Sequence, residues 1–298
     1  MPQTLQTSEH GAAPTTGAPS PPLQTHPLTV ESFGSTDRGR KREANQDQFV
    51  TAALMRALWV QQSSIHQPAV HYADDRSHVF IVADGVGGEQ GGEQASALAV
   101  GAIEDFLLNA LRWLLALDGL EEAGVLRDFK AALRSADACV YAAAAGNPSL
   151  QGMGTTLTMA YSRDADLFVA HAGDSRCYLH RGGVLLQLTR DHTLVQQLIE
   201  AGALPPEKAQ THDLRHVITN VIGGPSPGVH AEVHRLRLQP GDVILLCTDG
   251  LSGMVPDTQI AAVLASAPGP QQACEELTRL ANEHGGEDNV TMVIARYT

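Results

Sequence analysis

The chain has 298 residues, 43% of them hydrophobic, which supports a large core and excludes wholesale disorder. Twenty Lys and Arg stand against 33 Asp and Glu; the formal charge of −13 argues against binding nucleic acid or an anionic membrane surface. No apolar run approaches the roughly 18 residues of a membrane span, and no basic amino-terminal region leads into an apolar stretch as in a secretory signal.

Residues 1–27 hold six of the 16 prolines and a single acid, Glu9. Such a segment cannot bury enough apolar surface to offset its ordering entropy, so a disordered tail is expected. Residues 28–298 are expected to fold, starting with strand character at 28–32 and 47–53. Residues 54–78 show no steady period and are rich in Gln, His and Ser, which predicts a long loop or insertion. Val79-Phe80-Ile81-Val82-Ala83 is a continuous apolar run and predicts a buried strand.

A Gly-rich loop follows. Apolar residues from Ala95 through Ile103 to Leu111 then recur at helical spacing and predict a helix over 92–116. Val125, Phe129, Leu133, Ala136 and Val140 predict a second over 121–145. The two are expected to pack as an antiparallel pair on one face of a sheet. Short strands at 155–161, 167–171, 176–180 and 184–188, joined by tight spacers, imply antiparallel pairing. A helix over 192–201 and an irregular stretch over 202–228 come next. Strands at 230–236 and 243–247, helices at 256–266 and 271–284, and a strand at 290–297 complete the pattern. The expected class is α+β, a largely antiparallel core with helices outside.

Cys139, Cys177, Cys247 and Cys274 form no CxxC pair and each has apolar neighbours. They read as small buried hydrophobes in a reducing compartment, so a cytoplasmic location is expected.

One device occurs three times. An apolar strand ends in a carboxylate beside glycine at Asp84-Gly85, Gly173-Asp174 and Asp249-Gly250. A fourth acid, Asp288, directly precedes the last strand. Carboxylates gathered at one rim would repel, and a hard divalent cation removes that conflict. Asp-Gly alone is an ordinary turn dipeptide. Here neither Asp-Gly is followed at once by a returning strand, as a two-residue hairpin requires. The loop after Asp84 fails the dinucleotide pattern, because the third glycine would fall at Gln90. Arg42, in a short basic run, suits bidentate capture of a phosphate.

In order, the chain presents Arg42-x-x-Asn45-Gln46-Asp47, then Asp84-Gly85-Val86-Gly87-Gly88, then Met153-Gly154-Thr155-Thr156. Ala172-Gly173-Asp174-Ser175-Arg176, Thr189-Arg190-Asp191-His192, Arg215-His216, Thr248-Asp249-Gly250 and Asp288-Asn289-x-Thr291 follow. This ordered set resembles the metal-dependent Ser/Thr protein phosphatases of the PPM (type 2C) family, bacterial branch, over roughly residues 28–298.

The resemblance implies a catalytic domain over 28–298, a sandwich of two antiparallel sheets with a helix pair outside each. It implies two principal Mn²⁺ or Mg²⁺ ions at one end and a third, weaker ion. Carried over, Asp84 bridges the principal ions and Gly85 offers its carbonyl. Asp249 and Asp288 bind one ion, and Asp174 with Asp249 holds the third. Asp47 acts close to the ions, Arg42 grips the substrate phosphate and Asn289 orients Asp288. The implied chemistry is direct attack on phosphoSer or phosphoThr by a hydroxide bridging the metals, with no phosphoenzyme. Implied partners are phosphoprotein substrates and a Ser/Thr kinase with its targets; a monomer is the default.

Two positions depart from the family pattern. Gln46 stands where many members carry Glu. Val86 stands where animal members carry a His proposed as general acid, which leaves that role to a metal-bound water or to a His such as His212 or His216. Four rival readings exist, one of them a small-molecule phosphatase or a regulator of a phosphoprotein switch on the same fold, which the sequence barely separates. A catalytically weak binding member would need a missing metal Asp, and none is missing. A zinc hydrolase would use His212-Asp213-x-x-His216, but helical periodicity is lacking there. A serine hydrolase at Ser175 fails the G-x-S-x-G elbow, because Cys177 occupies the last position.

Overall fold

The computed structural model describes residues 28–62, 64–66, 68–87, 89–109 and 122–298. The expected tail at 1–27 and the expected helix residues 110–116 lie outside the described residues, as does Gly88.

Two five-stranded antiparallel sheets form the centre. One has the order β1-β13-β12-β8-β9, from Val30–Asp37, Val290–Tyr297, Val243–Cys247, Arg176–Arg181 and Val184–Gln187. The other has the order β11-β7-β6-β3-β2, from Glu232–Arg237, Asp166–Ala172, Leu157–Arg163, Val70–Ala83 and Gln48–Trp59. A small third sheet joins β10 (Ile222–Gly223), β5 (Gly154–Thr155) and β4 (Gly85–Val86).

The apolar runs are continuous because both faces of each large sheet are covered. Phe80 and Val82 of β3 point between the sheets, against Leu179, Ile244, Leu246 and Val293. Their neighbours Val79 and Ile81 point outward, under α1 (Glu89–Asn109) and α2 (Glu122–Ala145). Phe129 of α2 anchors that layer, 5.7 Å from the ring of Tyr161 and 5.9 Å from that of Phe168. On the far side, α5 (Asp257–Ser266) and α6 (Pro270–Glu283) bury Ile260 and Leu277 against Leu245, Met292 and Ile294. The expected four-layer α-β-β-α sandwich is the observed fold.

Three expectations need correction. Residues 54–78 are not a long loop: β2 and β3 pair out to Trp59↔Val70, with a register shift between Met55 and Ala57. Only Ser77–Val82 of β3 pairs onward with β6, so the outer part of this hairpin is a two-stranded ribbon. Both its faces meet solvent, with Leu58 64%, Trp59 77% and Tyr72 62% exposed, and no alternating pattern arises. Cys139 is exposed, unlike the other three cysteines; it lies beside the buried stripe of α2, not on it. The first helix begins at Glu89 instead of 92, despite Gly91 and Gly92 in its opening turn.

Residues 192–228 are held by local bonds at their start and by pairing with β5 further on. The short helix α3 (Leu194–Glu200) is capped by Thr193, whose hydroxyl accepts the Gln196 N–H. A 3-10 turn at Pro206–Thr211 follows, and β10 ends the segment.

Candidate active site

The strands β3, β7 and β12 run out at the same end of the sandwich, and β13 starts there. A cleft of about 1060 Å³ lies at that rim. Arg42, Gln46, Asp84, Gly85, Asp174, Asp249, Asp288 and Asn289 all line it. Thr193, Gln196, Arg215 and His216 come from the opposite wall. Asp47 lies behind the cleft, 3% exposed.

Asp84 is fixed through its backbone. Its carbonyl accepts the Thr156 N–H at 2.9 Å and the Thr155 hydroxyl at 2.8 Å, and its N–H donates to Thr156 Oγ1 at 2.9 Å. Thr156 Oγ1 in turn bonds Ser175 Oγ at 2.7 Å, deep in the core. Ser175 is therefore structural, and no serine nucleophile stands there. Gly85 admits the start of α1: a Cβ would lie 2.2 Å from the Gly92 carbonyl oxygen. Gln46 comes to the same place, since a Cβ on Gly92 would stand 2.8 Å from both Gln46 Oε1 and Gly85 O.

The carboxylates crowd one another. Burial, and then the charges of Asp47, Asp249, Asp174 and Asp288, push the Asp84 carboxyl well above its ordinary range. Burial and then Asp249 and Asp191 do the same to Asp174. Asp249 is raised by burial and by Asp288, with His216 opposing. Burial raises Asp47 to about 7, against the hydrogen bonds of Thr291 and Thr248. Arg42 donates to Asp288 Oδ2 at 2.5 Å, half exposed at the mouth.

This crowding tests whether divalent ions fit. Asp47 Oδ1, Asp174 Oδ1 and Asp249 Oδ1 are buried with no hydrogen-bond partner. Orphaned buried carboxylate oxygens are costly, and a cation satisfies them. Among the described residues no three His, Cys, Asp or Glu groups converge on one point as a closed cage. Paired carboxylates with a backbone carbonyl and waters suit Mg²⁺ or Mn²⁺, which keep several waters. The donor set is all oxygen, so hard divalent ions fit.

Asn289 holds Asp288 as expected, but through its backbone. Its side chain does not orient the Asp288 carboxylate. Its Nδ2 donates to Arg38 O and Ala44 O, and its Oδ1 accepts the Gln46 N–H, so it pins the 38–46 loop. The Asn289 backbone N–H, not its amide, holds Asp288 Oδ1 at 2.8 Å.

Thr248, Thr291, Arg176 and Asp191 are only motif positions in the sequence; the structure gives them partners. The Thr248 hydroxyl supports Asp47 at 2.9 Å. Arg176 grips both Asp191 oxygens, which braces the loop that carries Asp174. Acids in the motif blocks were the only available signal. His216 lines the cleft and His212 does not. His212 sits in a turn, its Nδ1 accepting the Leu214 N–H, so the H-x-x-x-H helix of a zinc hydrolase is not formed.

The comparisons agree with this geometry. Residues 60–288 match the family model described as protein phosphatase 2C. The serine/threonine phosphatase stp of Listeria monocytogenes is 32% identical over 259 residues, 87% of this chain and 92% of that protein. The serine/threonine protein phosphatase PstP of Mycobacterium tuberculosis is 35% identical over 269 residues, 90% of this chain and 45% of that protein. The catalytic domain of PstP in complex with two manganese ions superposes with a TM-score of 0.70 at 31% identity, covering 91% of this chain and 99% of that one. With the fold, the acid-lined rim and these matches in agreement, the chain belongs to the protein phosphatase 2C family and is a metal-dependent serine/threonine phosphatase acting on phosphoproteins.

Proposed function

We propose that Asp84, Asp249, Asp288 and Asp174, with the Gly85 carbonyl, hold Mn²⁺ or Mg²⁺ ions in the cleft, two principal ones and a weaker third. The observation that carries this is the set of buried, unpartnered oxygens on Asp47, Asp174 and Asp249 at one rim. Bound divalent ions acidify water and offset phosphoryl charge, the chemistry this hydrolysis needs.

The chain's own residues do the rest. Asp84 is the rigid centre, fixed by Thr155 and Thr156. Asp47, braced by Thr248, has its other oxygen Oδ1 unpartnered and would accept from a water held by the ions. Gln46, beside Gly85 and Gly92 at the cleft, could hydrogen-bond such a water without adding charge. Arg42, paired here with Asp288, would be free to grip the substrate phosphate were that carboxylate to hold a cation instead. No cysteine is among the residues that line the cleft, and burial pushes Cys247 and Cys274 up to about 12, and Cys177 higher still. The phosphoryl group therefore passes to water directly.

Substrates are phosphoSer and phosphoThr proteins, in line with the serine/threonine phosphatases named above, and a Ser/Thr kinase of the same cell would supply them. The catalytic unit is residues 28–298, acting as a monomer in the cytoplasm. Free buried thiols support the reducing compartment. No described helix is long and apolar enough to cross a membrane.

The test is hydrolysis of an aryl phosphate with Mn²⁺, Mg²⁺, Zn²⁺ or chelator, beside Asp249→Asn. Turnover that requires Mn²⁺ or Mg²⁺ and collapses in the variant is expected. Full activity in chelator, or in Asp249→Asn, would refute the assigned site.

A further inference from the structure

Asp137 lies on α2, 5% exposed, away from the cleft. A buried carboxylate there needs donors, and three backbone N–H groups supply them. Its Oδ1 accepts Gly223 N–H at 2.7 Å. Its Oδ2 accepts Gly228 N–H at 2.9 Å and Val229 N–H at 3.3 Å. All three belong to one loop, closed at its neck by Asn220, whose amide donates to His230 O and accepts from His230 N–H. The carboxylate sits in that loop as its polar centre.

The loop leads to the site in two ways. Gly223 pairs with Gly154 and Ile222 with Thr155, while on the other edge Gly85 pairs with Thr155 and Val86 with Gly154. The Asp137 carboxylate is thus two strand pairings from the Gly85 backbone. The same loop receives the chain leaving the 192–218 wall of the cleft. Gly223 has φ +76°, and a Cβ there would stand 2.5 Å from Val140 Cγ1, so the loop lies directly on α2. No spacer lies between the carboxylate and the loop it holds.

We infer that Asp137 is a positioning residue. Through the 223–229 loop and β5 it sets where the Gly85 carbonyl and Asp84 stand, and hence how well the cleft holds its ions. This rests on the reading of Asp84 and Gly85 as ion holders. Asparagine at 137 keeps one acceptor oxygen but turns an NH₂ toward other N–H donors. Donor then faces donor in a buried place, and the loop must shift.

The experiment is calorimetric titration of the full-length chain with MnCl₂ alone, wild type beside Asp137→Asn, with circular dichroism to establish folding. The variant is expected to bind Mn²⁺ about tenfold more weakly, as loss of an outer support does at metal sites. It is also expected to turn over an aryl phosphate more slowly at saturating Mn²⁺, with KM little changed. A purely structural Asp137 would lower Tm and leave the Mn²⁺ Kd untouched, and equal Kd values overturn the inference. A wild type that takes up no Mn²⁺ overturns the metal site itself, a different failure. Should Asp137→Asn not fold, hydrogen exchange of the wild type decides. Mn²⁺ should slow exchange at Gly223, Gly228 and Val229 together with Gly85 and Val86. Slowing at Gly85 with none at 223–229 overturns the inference.

Discussion

Thr248 and Asp47, 201 positions apart, are joined by a 2.9 Å hydrogen bond buried behind the metal-holding rim. The same threonine oxygen accepts the Thr291 N–H at 3.1 Å, so β12, β13 and the start of β2 meet at one hydroxyl. Asp47 thereby keeps one satisfied oxygen and one free oxygen.

Replacing Thr248 by Val keeps the shape and removes the donor. The loss should cost about 1–3 kcal/mol and raise the Asp47 carboxyl beyond its value of about 7. Mn²⁺ binding, which needs the carboxylate, should then require a higher pH. Calorimetric Kd measured from pH 6 to 9 checks this; superimposable wild-type and Thr248→Val curves would refute it.

Metal-free protein should lose stability as pH rises. The folded state keeps the Asp47 proton up to about 7, the unfolded chain only to 3.8. Between these values the folded chain binds more protons, so this contribution is full below 3.8 and gone above about 7. Mn²⁺ relieves the repulsion that remains. Its stabilising shift in Tm should therefore be larger at pH 8 than at pH 6, by roughly 5 °C. In Asp249→Asn the metal-free Tm at pH 8 should rise and the Mn²⁺ shift should shrink. Thermal scans with and without Mn²⁺ at both pH values decide, and equal shifts count against the account.

His171 should act in the opposite sense on acidification. It is fully buried; its Nε2–H donates to Arg190 O, and its Nδ1 bonds Thr158 Oγ1. Burial, and then His192, lower it to about 4 from 6.5. The unfolded chain binds the extra proton between those values, so about 3 kcal/mol present above pH 6.5 is lost as pH falls through 4. His171→Gln should remove this opposing contribution, so that unfolding free energy falls more steeply with rising pH in that window. An unchanged slope in urea titrations at pH 4.5, 5.5 and 6.5 would count against it.

Arg42→Ala should separate the two partners of this guanidinium. Losing a charge-assisted bond to phosphate, worth about 1.5–3 kcal/mol, should lower kcat/KM by about 10- to 100-fold. Most of the change should fall in KM. Asp288, freed from its cation, should bind Mn²⁺ no more weakly than before. Steady-state kinetics with a phosphopeptide and a Mn²⁺ titration test both halves, and an unchanged KM would remove Arg42 from phosphate binding.

The sandwich was legible because its strands are covered on both faces, which writes runs such as 79–83 and 243–247 as continuous apolar stretches. The acids were legible because each sits at a strand end beside glycine. The ribbon of β2 and β3 was not legible, because strand alternation needs one wet face and one dry one, and both faces of this ribbon are wet. The second role of Asn289 was not legible, because spacing shows that Asn289 adjoins Asp288, not that its amide reaches the 38–46 loop. Thr248 and Asp137 escaped for a related reason. A hydroxyl or carboxylate acting on backbone from a distant segment leaves no local pattern.

The strand β13 lies between β1 and β12, and Thr29 and Thr298 exchange backbone hydrogen bonds at 2.8 and 3.0 Å. Arg42, Gln46 and Asp47 thus wait for Asp288, Asn289 and Thr291 to arrive from more than 240 positions downstream. Synthesis proceeds at about 5–20 residues per second, so the early strand edge of β1 stays open for seconds on the ribosome before its mate emerges. A nascent chain that has not yet paired β13 with β1 and β12 lacks Asp288 at the cleft. The same adjacency makes the domain a candidate for circular permutation. A short peptide bridge between 298 and 29, with new ends in the 60–69 hairpin tip, would keep every pairing in place.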